Sequence, residues 1–448
     1  MIKKKIFIFL IFILLTNCSF DNKTGIWGDS KKEKEKISKI ELEQKKIISV
    51  EKIYSSENIF LKEVLLTKKI LLPKSKKNLD WKTSNLNNEN LIGNIYLSGY
   101  QNKFLKKKIG KNKFSIHSNI TNILMHNNNI IFSDDAGNIF NINKNGKVNW
   151  KKNIYKKSYK KIYKNLILSI NRNNIFIADN IGFVYSINLI SGNILWIKNY
   201  GKPIKSNMKI FNDKIFLIDM DNKIFSLDVK DGSLIWDVLS ISSFIKLQNL
   251  LSLAISKDGY LFAITSAADL YKINANTGEL LWSRNTASSL YANATDFFIS
   301  SDIAISDKQI VFSSGTSTFS YNTNNGEINW ITEVSFSGAP VISGSHIFIV
   351  TNNGYFVILE KDTGKITSSS NILKILKKKK QKTQIVSFIM GSEKIYSTTL
   401  NGFLIISSAV TGKAGSFIKI GEKNISPLII NDGALYILTE NSKIVGLR

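Results

Sequence analysis

The sequence is short of several residue types that define whole classes of protein. It holds one cysteine in 448 residues, so no disulfide can form within the chain and a folded, exported product must be held by its core. Four prolines exclude a proline-rich linker protein. The three histidines, His117, His126 and His346, lie far apart, and no carboxylate cluster has the spacing of a calcium loop. The sequence therefore predicts no metal site and no catalytic nucleophile–base pair. Acidic residues are also scarce, 34 against 61 basic ones, which leaves a net charge of +27. Such an excess ordinarily points to nucleic acid or an anionic membrane. Here Lys, Asn and Ile are enriched together, as an AT-rich coding sequence favours. The lysines also run along the whole chain and do not form the concentrated stripe of a nucleic-acid binder.

What is present begins with a hydrophobic content of 43%, ample for a core and against global disorder. Lys3, Lys4 and Lys5 precede an apolar run from Ile6 to Leu15. That run is about half the length a bilayer span requires and matches the h-region of a signal peptide over residues 1–17. Directly after it, Leu15-Thr16-Asn17-Cys18 contains the lone cysteine and looks like a bacterial lipobox. Asn17 stands where that pattern has a small Gly or Ala. The resemblance implies lipidation of Cys18. Ser19, in place of the Asp of an inner-membrane retention signal, implies the outer membrane. Residues 18–77 are polar and mixed in charge, densest at Lys31–Lys36, and read as a largely flexible tether. About 55 flexible residues reach roughly 40 Å root-mean-square, enough to hold a domain away from a lipid surface.

From residue 78 to 448 a unit repeats. One half is a hairpin of short apolar strands around a polar turn, as in Ile130-Ile131-Phe132 with Asn138–Ile142, or Ile347-Phe348-Ile349 with Phe356–Leu359. Eight hairpins occur. Equivalent second-strand positions fall at 140, 185, 225, 271, 319, 357, 405 and 445, and steps of 38 to 48 suit one four-stranded propeller blade. The alternation predicts strands with one face buried on a neighbour. The other half is a glycine turn followed four residues later by tryptophan: Gly146 and Trp150, Gly192 and Trp196, Gly232 and Trp236, Gly278 and Trp282, Gly326 and Trp330. Gly364 and Gly412 keep the turn, but Ser368 and Ser416 replace the tryptophan. Positive φ favours glycine at the turn, and a flat indole suits packing between blades; ligand stacking is the alternative for the five tryptophans. Eight hairpins with seven such turns leave one outer strand to be supplied from the N-terminal side, by Tyr96-Leu97-Ser98 and Phe104–Lys107. A strand near Phe104 pairing with the hairpin that ends at Leu447 would close the ring and remove its open edges. The predicted fold is all-β, an eight-bladed propeller of four-stranded antiparallel blades.

The Thr-Gly-x-x-x-Trp element, clearest in Asn274–Trp282, resembles the repeat of the pyrroloquinoline-quinone-like propeller family. With the signal sequence, Cys18, the tether and one propeller, the layout resembles the propeller lipoproteins of the outer-membrane β-barrel assembly machinery. That likeness implies a non-catalytic scaffold without cofactor or metal, lipid-anchored at the periplasmic face. It implies docking on the periplasmic part of the barrel-inserting subunit, assistance to nascent outer-membrane proteins, and a monomer outside that complex. In such proteins a loop on one propeller face docks. Phe244-Ile245-Lys246 is the nearest match, and a buried strand start is the other reading of the same residues. The alternative function is a quinone-dependent periplasmic dehydrogenase, which shares the repeat but resembles a longer domain with an adjacent-cysteine disulfide and bound calcium. A nucleic-acid reading rests on residues 151–165, where lysines alternate with Tyr155, Tyr159 and Tyr163; export argues against it, and the stretch reads as an elaborated strand and loop. The lysines of 374–382 read as a solvated loop, or as a contact to acidic headgroups or a partner.

Overall fold

A computed structural model describes residues 35, 37–39, 42, 60–112, 122–240, 250–286, 300–421 and 426–448. Its strands form eight separate four-stranded antiparallel sheets. Blades 1 to 7 occupy residues 124–153, 166–199, 209–238, 253–285, 304–332, 341–371 and 385–419, each in simple up-and-down order. Blade 8 takes three strands from residues 429–447 and its outer strand, Lys103–Lys108, from the N-terminal side; Lys106 pairs with Val445 and Lys108 with Lys443. The Phe104 region thus closes the ring, while Tyr96-Leu97-Ser98 lies elsewhere, with Leu97 bridged to Gly433.

The burial pattern gives each strand its place. First strands such as Leu253–Ile255 are fully buried at the centre, and outer strands such as Leu280–Asn285 are mostly exposed. In the second and third strands nearly every residue is buried, as in Ile347–Val350 and Phe356–Leu359. These strands are covered on both faces by the blades on either side, and not on one face as the alternation predicts. Their near-continuous apolar sequence follows, each large side chain contributing about 1.5–3 kcal/mol of burial. The turns joining strands one to two and three to four share one face of the ring. Turns joining strands two to three, and the crossovers between blades, share the other.

In each of blades 1 to 7 the outer strand carries a β-bulge. In blade 1, Asn141 pairs with Trp150 and Ile142 with Val148, so Asn149 is unopposed. The same shift precedes Trp196, Trp236, Trp282 and Trp330, and also Ser368 and Ser416. One extra residue increases the local twist and re-aims the residue after it. Each tryptophan lies over the glycine turn of the next blade. A Cβ placed on Gly192, Gly232, Gly278, Gly326 or Gly364 would come within 2.4–2.9 Å of the preceding blade's indole ring. The indole N–H then donates to a carbonyl of that turn: Trp150 to Leu189 at 3.0 Å, Trp196 to Val229 at 3.1 Å, Trp236 to Ala275 at 3.2 Å, Trp282 to Asn324 at 3.1 Å and Trp330 to Lys361 at 2.9 Å. Glycine is required here twice over, for its positive φ and for the missing Cβ.

Where the tryptophan is missing, the N-terminal segment intervenes. Residues 60–77, expected within the tether, cross the junction of blades 6 and 7. Val64 exchanges both backbone hydrogen bonds with Ser369 at 2.9 Å, and the buried Ile70 donates its N–H to Val410 in the blade 7 turn. At the next junction the Tyr100 hydroxyl lies 3.3 Å from Ser416 Oγ while its ring meets Tyr396 edge-on. Between blades 8 and 1, Leu105 and Lys107 cover Gly146.

Candidate functional site: the strapped inner rim and the two faces

Residues 78–98 run once around the inner rim on the face opposite the crossovers, and they bond to all eight blades in order. Asn78 Nδ2 donates to Ile430 of blade 8 at 3.0 Å, and Trp81 exchanges backbone bonds with Met125 of blade 1. The carbonyl of Lys82 accepts from Ile170 of blade 2, and Asn88 Nδ2 donates to Ile210 of blade 3 at 3.0 Å. The carbonyls of Asn88, Glu89, Ile92 and Ile95 accept from Ile255, Ile305, Ile342 and Ser392 of blades 4 to 7, at 2.8–2.9 Å. Ser98 then returns to Gly433 of blade 8 at 3.0 Å. Short asparagine side chains and extended backbone satisfy the central strand ends that a bare rim would leave to water. The sequence carries a trace of this strap in its asparagines at 78, 85, 87, 88, 90 and 94, which no periodicity marks.

Beneath the strap the inner strand of blade 3 buries Lys209 completely. Its ammonium donates to the Asn87 carbonyl at 2.8 Å and to Asn90 Oδ1 at 2.5 Å. Burial pushes this amine down to about 7, against the pull of Asp302 and Glu89. Burial pushes the Asp302 carboxyl up, with Lys209 opposing. Desolvation outweighs attraction on both members of the pair. A second buried carboxylate, Asp179, accepts the N–H groups of Ile181, Gly182 and Phe183 and, at 2.5 Å, the Tyr155 hydroxyl. These groups are committed to the chain's own structure. Among the described residues no three His, Cys, Asp or Glu side chains are grouped to hold a metal ion. His126 is paired with Asp80 at 2.8 Å, and His346 lies beside Ser345.

The described surface candidates from the sequence, within residues 151–165 and 374–382, fall on the crossover face. Phe244, Ile245 and Lys246 lie outside the described residues, in the connection from Val238 of blade 3 to Leu253 of blade 4. Cys18 also lies outside them. In residues 151–165 the rings of Tyr155, Tyr159 and Tyr163 are buried, so they are not offered to bases for stacking; Lys157, Lys160 and Lys161 are exposed. The 374–382 loop is pinned by buried Ile372, Leu373 and Leu376 and by the Lys374–Glu63 pair at 2.8 Å. Lys377 to Lys380 and Lys382 point outward.

The fold and the strap define a closed eight-bladed propeller of the pyrroloquinoline-quinone-like repeat class, with its inner rim occupied by its own chain. Residues 136–370 match the family described as outer membrane protein assembly factor BamB, and the chain belongs to that family. Two relatives carry that name. The protein of Moranella endobia (strain PCIT) is 23% identical over 232 residues, covering 46% of this chain and 58% of its own length. That of Shewanella oneidensis is 26% identical over 228 residues, covering 44% and 54%. The chain thus spans little more than half the length of these relatives. Among solved structures, BamB from Moraxella catarrhalis superposes with a TM-score of 0.65 at 11% identity, over 78% of this chain and 99% of that one. A quinohemoprotein alcohol dehydrogenase from Comamonas testosteroni gives 0.61 at 8% identity, over 83% and 81%. Both likenesses concern the fold alone.

Proposed function

We propose that this protein is a non-catalytic docking lipoprotein at the periplasmic face of an outer membrane. It binds the periplasmic part of the barrel-inserting subunit of the outer-membrane protein assembly machinery and assists insertion of nascent β-barrel proteins. The observation that carries this reading is the family match across residues 136–370, joined to a ring whose buried charged groups bond to its own strap. Cys18 supplies the lipid anchor. The connection holding Phe244, Ile245 and Lys246 supplies the docking loop, two apolar side chains entering a partner's groove with a cation at its rim.

Co-purification from detergent-solubilised membranes tests the reading. The wild-type chain is expected to bring down an outer-membrane assembly complex and to show no cofactor absorbance. Phe244→Asp with Lys246→Glu is expected to abolish that capture; unchanged capture would sink the docking loop. Labelling with a lipid precursor is expected in the wild type and not in Cys18→Ser. Quinone- or calcium-dependent thermal stability would favour the dehydrogenase reading instead.

A further inference from the structure

Some surface charges are paired between neighbouring blades, and one lysine-rich loop is largely without carboxylate partners among the described residues. On the strap face Asp432 takes both Lys77 and Lys144 at 2.9 Å, Asp213 takes Arg172 at 3.2 Å, and Asp307 takes Lys361 at 2.7 Å. On the crossover face blades 2 and 3 are also matched, Lys202 with Asp221 and Lys223 with Asp237. The 6-to-7 crossover differs. Of its six lysines from Lys374 to Lys382, only Lys374 pairs with a carboxylate among the described residues, and Lys380 lies over the Phe403 ring. Lys377, Lys378, Lys379 and Lys382 are exposed, as are Lys160 and Lys161 on the 1-to-2 crossover of the same face. Between these two crossovers lie blades 7, 8 and 1.

The N-terminal chain reaches the ring at the same place. Phe60 meets the Tyr355 ring edge-on at 5.6 Å, its carbonyl accepts from Asn353 at 2.8 Å, and Glu63 holds Lys374. From there residues 64–73 descend toward the strap face, where Pro73 packs near Gly344. The roughly 40 residues between Cys18 and Phe60 therefore join the ring beside the lysine loop.

We propose that this loop is a second membrane contact, in which Lys377, Lys378, Lys379 and Lys382 bind an anionic phospholipid surface. The potential of such a surface fades within about 8–10 Å, so only a protruding, unpaired cluster can use it. Pinned beneath by Ile372, Leu373 and Leu376, the loop presents its ammonium groups without first having to fold. The contact orients the ring with its lysine loop toward lipid. The geometry rests on the lipid-anchor reading, and the test separates the two.

The full chain, purified from membranes, is mixed with vesicles that are zwitterionic or contain about one third anionic phospholipid, and is pulsed with an amine-acylating reagent. Co-sedimentation with zwitterionic vesicles reports the anchor alone; its absence counts against the anchor and leaves the lysine contact measurable on anionic vesicles. Anionic vesicles are expected to slow acylation of Lys377–Lys379 and Lys382 about fivefold relative to zwitterionic ones, and high salt to remove the protection. Lys230 and Lys308, on the strap face, are expected to react equally in both. A variant with Lys377, Lys378, Lys379 and Lys382 changed to Glu is expected to lose the anionic preference. Equal acylation in the two vesicle types, equal protection of Lys230 and Lys308, or protection that appears only when an outer-membrane protein complex is added would each overturn the proposal.

Discussion

Gly278→Ala is the sharpest probe of how the blades are joined, because the structure supplies its control. Gly278 and Gly338 share the same φ of +80°. A Cβ on Gly278 would lie 2.7 Å from Trp236 Cδ2, 2.8 Å from Cγ and 3.0 Å from Cβ, whereas one on Gly338 meets nothing within 4 Å. Both substitutions incur left-handed backbone strain of about 1–2 kcal/mol. Only Gly278→Ala adds a steric clash. Trp236 cannot rotate away, because the clash includes its own Cβ and because its indole N–H is bonded to Ala275. Overpacking of that kind costs about 1–3 kcal/mol. Gly278→Ala should therefore lose about 2–5 kcal/mol and Gly338→Ala only the first part. Urea unfolding of both variants against wild type, at unchanged m-value, reads the difference directly. Adding Trp236→Leu to Gly278→Ala should recover part of the loss, since neighbours sharing one contact are coupled. If Gly278→Ala costs no more than Gly338→Ala, the indole-over-turn contact does not hold adjacent blades.

Between pH 7 and 10.5 the unfolded chain protonates the Lys209 amine and the folded chain does not. Stability should therefore rise with pH in that window, by up to about 1.4 kcal/mol per unit. Lys209→Met should flatten most of that slope between pH 7 and 9 in urea titrations, leaving a remainder from the half-buried Lys205, whose amine is also pushed down by desolvation. Trp330→Phe keeps most of the ring but loses the bond to Lys361, about 0.5–1.5 kcal/mol, while Trp330→Ala should cost about 3–5 kcal/mol in the same assay. Tyr100→Ala should cost about 1–2 kcal/mol, and hydrogen exchange should quicken in blades 7 and 8 more than in blades 2 to 5.

The blades were legible in the sequence because each is built from local signals. A hairpin, a glycine turn and a tryptophan four residues on repeat within about 45 residues, so strand pairing and register are set by near neighbours. Ring closure through Phe104 was legible for the same reason, as the one outer strand missing from an otherwise complete set. The strap was not. Asn88 and Asn90 bond to Ile210 and Leu253 across more than a hundred residues of chain, and such amide contacts leave no period. Lys209, flanked by Met208 and Ile210, reads as an ordinary polar strand position until Asn87 and Asn90 are found above it. In residues 151–165 the alternation of lysine and tyrosine left an open binding strip as the alternative to a strand and loop. The tyrosines face inward because Tyr155 completes the bond set of Asp179, a partner that spacing alone does not reveal.

The strap has a consequence for how the molecule comes apart. Open repeat arrays lose their units one at a time from the ends, since each unit touches only its neighbours. Here a single stretch of backbone is tied to every unit at the hub. Releasing any one of them strains the shared tie and loosens its attachment to the rest. Melting should consequently proceed as one sharp, all-or-none event, and a cut within residues 78–98 should broaden it into several.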